Sequence, residues 1–447
     1  MYHSFLFAAR RACSTRGTRV PTAIRAGGVI LALGLIASLA WASPAGEAAM
    51  DSQEVTITHY FGGDLGRAGL EEIFGTFHDQ TGVTVVDSPI GHEDFKDGIL
   101  VRAAGGNLPD VFSYWAGART QFVVDGGNIA AIDDAWSANG LDAVIATSVA
   151  DGATMYDGSR YLVPFGYHYA GMFYNAKVMA AAGVTEFPSD WDGFLALCEN
   201  LKAQGIIPIA LGTKNRWPGQ FWFDYLLLRT AGPDYRAALM AGDASYTDPE
   251  VQRAMELWKE LVDAGYFAPN ANADEWTDAS DKVARGDAAM TLMGTWITGY
   301  WNGQDLMAGD DYDFFEFPAI DAGVPNAVVG PVDGWLISAN SPNRANAEAL
   351  VSFLASDAEV QAKWAQIQGA LSANVNVDVS TYTPVMQRAL EAVGNADTFA
   401  FNYDLATTPP AAEFGLDMFS RFMDSPDDYM QHLADTEEGA RGVFDSQ

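Results

Sequence analysis

Apolar and polar positions begin to alternate at Val55. Val55-Thr-Ile-Thr-His-Tyr-Phe61 has period two, which predicts a strand, and Gly62-Gly63-Asp64 breaks it. Leu70, Ile73, Phe74 and Phe77 then recur at i, i+3, i+4 and i+7, the spacing of one helix face, and Gly82 ends the pattern. Val83 to Val86 reads as a second strand. A helix from about Phe95 to Ala104 leads through Gly105-Gly106-Asn107 to an extended run, Leu108-Pro-Asp-Val-Phe-Ser-Tyr-Trp115. Strand, helix, strand, helix, strand implies an α/β fold with a mainly parallel sheet covered on both faces.

The pattern resumes at Tyr161 to Tyr174, which is aromatic-rich and extended. Asn175 to Gly183 reads as a short helix with a glycine stop, and Ser189-Asp190-Trp191 starts another that runs to about Gln204. Ile206 to Leu211 and Ala288 to Met293 read as buried strands. Phe221 to Thr230 and Pro249 to Ala264 read as helices, and Asp281 to Gly286 as a helix end. Val328 to Ile337 is extended, and helices dominate from Ala345 onward. The chain has no internal repeat and no polar linker between halves. Its length exceeds the usual single domain, so two interleaved domains with several chain crossings are expected.

Upstream of Val55 the pattern differs. Arg10, Arg11, Arg16, Arg19 and Arg25 precede an apolar run from Gly28 to Trp41, and no acidic residue occurs before Glu47. With the small-x-small site Ala40-Trp41-Ala42, this order reads as a secretion signal cleaved near Ala42. The run is shorter than the roughly 20 residues of a spanning helix. The signal carries 5 of the 25 Lys and Arg and none of the 58 Asp and Glu. That leaves 20 against 58, a formal charge of −38. So acidic a chain argues against nucleic acid and anionic lipid as partners. Of two cysteines, Cys13 lies in the signal ahead of the apolar run, where it cannot carry a lipid at the cleavage site. Cys198 is left alone and reads as packed core.

Catalytic signatures are absent. There is no His-Glu-x-x-His, no Cys-x-x-Cys and no Gly-x-Ser-x-Gly. Gly62-Gly63-Asp-Leu-Gly66-Arg-Ala-Gly69 lacks the spacing of a nucleotide loop and reads as a turn at a cleft rim. The 6 histidines are scattered, which disfavours a metal centre, and no cofactor is called for. Glycosidases need two flanking carboxylates, but 58 acidic residues single out no pair.

Aromatic placement carries more information. Tyr114, Trp115, Trp217, Trp296 and Trp335 sit where a strand ends or a loop begins, and Phe165, Tyr167, His168 and Tyr169 cluster similarly. Ligands of open α/β sheets bind beyond the carboxyl ends of the strands. Flat aromatic faces there suit the CH faces of sugar rings. Asp64, Asp224, Asp333, Asn215 and Arg216 are candidates for the hydroxyls. Trp191, Trp222, Trp258 and Trp364 lie within helical patterns and are assigned to core.

Four segments resemble the extracellular solute-binding proteins of family 1, the maltose-binding-like receptors of ABC importers. They are Leu70 to Val85, Leu108-Pro-Asp-Val111 through Gly127, Val163-Pro-Phe165 with Met172 to Lys177 and Trp191, and Lys282 to Trp296. The resemblance implies a two-domain periplasmic binding protein fold (type II-like) closing on a solute. It implies an N-terminal lobe of residues 51–166 plus 297–338 and a C-terminal lobe of 167–296 plus 339–447. Crossings would fall near Tyr167 to Phe173, Trp296 to Tyr300 and Gly334 to Ala339. Mapped onto this sequence, the ligand contacts would be Phe61, Asp64, Tyr114, Trp115, Phe165, His168, Arg216, Trp217, Trp296, Asp333 and Trp335. The expected function is a free, monomeric periplasmic carbohydrate receptor, with a di- or oligosaccharide as ligand and a membrane permease as partner. It does no chemistry. A secreted carbohydrate-active enzyme and a scaffold or sensor partner of a membrane receptor are the alternatives.

Overall fold

The computed structural model describes residues 53–446. The basic and apolar leader, with its expected cleavage site at Ala42, lies outside the described residues. The first sheet begins with β1 (Glu54–Thr58), β2 (Thr84–Asp87) and β3 (Val111–Trp115), with α1 (Asp64–Thr81) and α2 (His92–Ala104) between them. β1 pairs in parallel with both β2 and β3, as the strand–helix alternation predicts. A short hairpin, β4 (Met155–Tyr156) and β5 (Ser159–Arg160), precedes β6 (Val163–Tyr167).

The second sheet contains β7 (Ala170–Asn175), β8 (Ile207–Ile209), β9 (Ala288–Gly294) and β10 (Tyr312–Phe315), ordered β10-β7-β9-β8. β11 (Ala327–Val329) leads into β12 (Val332–Ile337), which returns to the first sheet and completes the order β2-β1-β3-β12-β6. β13 (Thr398–Ala400) pairs in parallel with β11.

Each sheet is mainly parallel but holds one reversed strand. β12 runs antiparallel to β3 and β6, and β7 runs antiparallel to β9 and β10. These strands enter directly from the other lobe, without the crossover helix that forces a parallel return. Local signals at the helix ends hold. Asn175 and Asp190 cap their helices by accepting from the amides of Val178 and Gly193. Gly286 closes Trp276–Arg285 with φ +80°, a conformation glycine adopts without strain.

His168 and Tyr169 form the first crossing, between β6 and β7. Gly330 and Pro331 form a second, between β11 and β12. The two segments touch: the His168 amide donates to the Pro331 carbonyl at 3.0 Å, and a Cβ at Gly330 would overlap the His168 carbonyl oxygen. β12 joins the first sheet, Tyr312–Phe315 pairs with β7 of the second, and the helix Arg344–Ser356 packs on β6, β12 and β1 of the first. The apolar face of that helix suits either sheet, so its sequence does not fix its side.

Asp110, in the Leu-Pro-Asp-Val segment, ties the first sheet to the exit of β12. Its carboxylate accepts from the Thr56 amide (2.8 Å), the Thr56 hydroxyl (2.7 Å), the Ser341 hydroxyl (2.6 Å) and the Asn343 amide (3.1 Å). Burial pushes its pKa up, but these donors outweigh burial and hold it below the usual carboxylate range. Trp191, Trp222, Trp258, Trp364 and Cys198 are buried, as core residues.

Candidate functional site

A cavity of about 530 Å³ lies where the carboxyl ends of the two sheets and the crossing segments converge. Tyr60 and Phe61, after β1, Trp115 at the end of β3, and His92 and Lys96 of α2 form the wall on the first lobe. Trp217, Gln220, Phe221, Trp276, Trp296 and Tyr300 form the wall on the second. His168, Pro331 and Asp333 from the crossings, with Asn402 and Asp404, complete the lining.

Tyr60 and Trp115 stack with centroids 4.3 Å apart and an interplanar angle of 14°. The Tyr60 hydroxyl donates to Asp333. Burial pushes the Tyr60 pKa up and the Asp333 charge adds to it, so the phenol stays a donor. The other Asp333 oxygen lies 3.1 Å from His168 Nε2, and His168 Nδ1 lies 2.9 Å from the Thr295 hydroxyl. A bulge in β6 opposite Asp333 and Gly334 leaves Phe165 without a partner, while β12 keeps a regular register with β3 and sets Asp333 opposite Trp115 at the cavity.

Asp404 forms a second polar centre. Lys96 Nζ lies 3.3 Å from its carboxylate and the Arg119 guanidinium 3.9 Å, while Asn402 donates at 2.6 Å. Burial opposes ionisation, but Lys96 and Arg119 prevail and hold the carboxyl below its usual range. The Asp404 amide donates to Gln220 Oε1 at 2.9 Å. Both carboxylates keep lone pairs for further donors.

Of the residues expected at the site, Phe61, Trp115, His168, Trp217, Trp296 and Asp333 line this one cavity. Asp64 begins α1 beside it, but its side chain lies outside what is described. Tyr114, Phe165, Arg216 and Trp335 stand elsewhere. Tyr114 takes the opposite face of β3 from Trp115, as strand alternation dictates, and is fully buried. Trp335 is fully buried behind Phe61, with Phe165 at 5.3 Å between centroids, and Phe165 stacks on Trp364 at 4.7 Å. These rings are a second layer under the cavity floor. Arg216 adopts φ +64° and turns its guanidinium to Glu413 (2.7 Å) and Asp417 (2.5 Å). Asp224 pairs with Arg236 at 2.7 Å in the interior. Burial raises its pKa to about 6 although Arg236 pulls the other way. The expected set omitted Tyr60, Lys96, Gln220, Trp276 and Asp404.

Among the described residues, no group of three or more His, Cys, Asp or Glu is placed to hold a metal ion, and no helix is long and apolar enough to cross a membrane.

Residues 63–361, more than half of the chain, match the family model described as bacterial extracellular solute-binding protein. An uncharacterized ABC transporter extracellular-binding protein of Pyrococcus horikoshii is 28% identical over 300 residues, 66% of this chain and 64% of its own. The chain thus spans just under two thirds of that relative. A probable sugar-binding periplasmic protein of Brucella melitensis is 25% identical over 356 residues, covering 78% of this chain and 82% of its own. The solved structure of the bacterial solute receptor AcbH, described as preferring β-D-galactopyranose, superposes with a TM-score of 0.81 at 25% identity. It covers 88% of this chain and 99% of its own. A chitin oligosaccharide binding protein superposes with a TM-score of 0.80 at 24% identity, over 88% of this chain and 100% of its own. With the family's segments in order along the chain and its two-lobed fold around a cleft, this protein belongs to the bacterial extracellular solute-binding protein family.

Proposed function

We propose that this protein is the periplasmic receptor of an ABC importer, binding a short neutral saccharide between its lobes and handing it to a membrane permease. One observation carries the reading: aromatic faces from both lobes, Tyr60 and Trp115 on one side and Trp217, Trp276 and Trp296 on the other, meet around Asp333 and Asp404. Aromatic faces suit the CH faces of a sugar ring, and the carboxylates accept its hydroxyl protons. Small-molecule sites span ~300–1,000 Å³, and a cavity of about 530 Å³ suits a ligand of few rings rather than a polymer in transit. The names of the relatives and of the superposing receptors support the same ligand class.

The receptor does no chemistry on its ligand. A glycosidase requires a carboxylic acid whose pKa is raised so that it can protonate a leaving group. Asp404 is held on the opposite side of its usual range. Export to the periplasm rests on the basic-then-apolar leader, and a monomer fits a carrier that diffuses between compartment and permease.

Isothermal titration against a panel of mono-, di- and trisaccharides tests the proposal. Stoichiometric binding of one sugar with no products on prolonged incubation is expected. Binding of an amino acid or peptide while every saccharide fails refutes it.

A further inference from the structure

We propose that Glu93 is a positioning residue: its carboxylate holds the Trp217 indole across the cleft and latches the two lobes together. Glu93 is absent from the cavity wall. It sits in the first turn of α2, on the first lobe, and the Trp217 indole N–H from the second lobe donates to it at 3.1 Å. His92 Nδ1 lies 2.9 Å from the same Glu93 oxygen. One turn further along α2, the Lys96 ammonium lies 5.9 Å from the ring centroids of both Trp115 and Trp217. His92, Glu93 and Lys96 share one face of the helix, so a single turn of α2 grips one indole.

Trp217 is anchored on its own side too. Arg216 is held by Glu413 and Asp417, which fixes the turn that delivers the ring. The indole therefore reports the position of the second lobe, and Glu93 reads it. Burial pushes the Glu93 pKa up, but His92, Lys96 and Trp217 together hold it below the usual range, so the acceptor stays ionised at neutral pH. Glu93 is half-exposed, so solvent weakens the contact. Losing one charge-assisted hydrogen bond of this kind weakens ligand binding roughly three- to tenfold. The effect on ligand affinity rests on the sugar-receptor reading, whereas the latch itself does not.

The test uses E93A, E93Q, W217F and the E93A/W217F double variant. Small-angle scattering of the ligand-free protein measures lobe separation. Fluorine NMR of fluorotryptophan-labelled protein follows the Trp217 resonance. Stopped-flow dissociation of D-galactose and of N,N′-diacetylchitobiose gives the off-rate. E93A and W217F are expected to enlarge the ligand-free radius of gyration to the same extent, with no further change in the double variant. E93A shifts the Trp217 resonance and raises the off-rate with little change in on-rate. E93Q, which keeps an acceptor oxygen, restores most of the wild-type behaviour. Unchanged scattering and an unshifted resonance in E93A overturn the latch, as does strict additivity in the double variant. If these ligand-free changes occur but neither sugar binds the wild type, the latch stands and the sugar reading loses its support.

Discussion

Trp335 and Trp296 make a matched pair for separating packing from recognition. The Trp335 side chain has no solvent exposure and packs against Phe61 and Phe165, while Trp296 is partly exposed and forms cavity wall. A buried tryptophan removes ~150–250 Å² from water, worth ~4–6 kcal/mol at about 25 cal/mol/Å² as an upper bound. Measured Phe or Trp to Ala costs in cores are ~3–5 kcal/mol. Trp335→Ala should therefore lose ~3–5 kcal/mol of stability and, below its unfolding transition, bind its sugar within about twofold of wild type. Trp296→Ala should do the reverse. It loses ~0.5–1.5 kcal/mol of stacking, about two- to thirteenfold in affinity, with a smaller stability cost. Urea unfolding followed by fluorescence and circular dichroism gives the first quantity, and isothermal titration the second. A Trp335→Ala variant with a normal urea midpoint and a tenfold weaker affinity would refute the assignment of this ring to the layer beneath the floor.

Other outcomes follow from the same geometry. Trp276→Ala should weaken binding about two- to fourfold, since its ring lines the second-lobe wall; unchanged affinity by titration removes it from the wall in solution. Gly330→Ala should lower stability by ~1–3 kcal/mol, because the new methyl overlaps the His168 carbonyl where the two crossings touch; an unaltered melting temperature contradicts that close approach. Asp404 has a folded-state pKa below its unfolded value of about 3.9, so its ionised form contributes stability above that value, and the contribution fades as pH falls through the folded pKa. Asp404→Asn should accordingly be less stable than wild type at neutral pH, with the gap in urea midpoint narrowing as pH falls below about 4, and a gap that widens in acid contradicts this sign.

Much of the fold was legible because local signals were consistent. The helix face of Leu70, Ile73, Phe74 and Phe77, the cap at Asp190 and the stop at Gly286 each act over one or two turns, and each holds in the structure. The site was legible to the level of segments rather than side chains. Trp115 and Tyr114 are neighbours on one strand end, and only the pleat decides which one faces the ligand cleft. Asp333 and Trp335 are two apart and share a face of β12, but Asp333 reaches the cavity while Trp335 lies deeper along the strand, covered by Phe61 and Phe165. The positive φ of Arg216 leaves no mark in its local pattern, yet it sends the guanidinium to Asp417 and the next ring into the cleft. Asp404 becomes visible only once Lys96, 308 positions earlier in the chain, is folded against it. The side on which one helix packs was not legible for a related reason. The helix Arg344–Ser356 carries an apolar face that fits any sheet, and tertiary contacts alone choose.

The strand order of the first sheet also sets a timetable for folding. β12 lies between β3 and β6, so these two have no direct pairing and meet only through a strand ending at Ile337. A nascent or truncated chain ending after β6 holds four of the five strands yet leaves β6 without a partner and β3 with an open edge. The first lobe therefore completes its core only after most of the second-lobe strands have been made, and neither lobe can be cut out of this chain as one continuous piece.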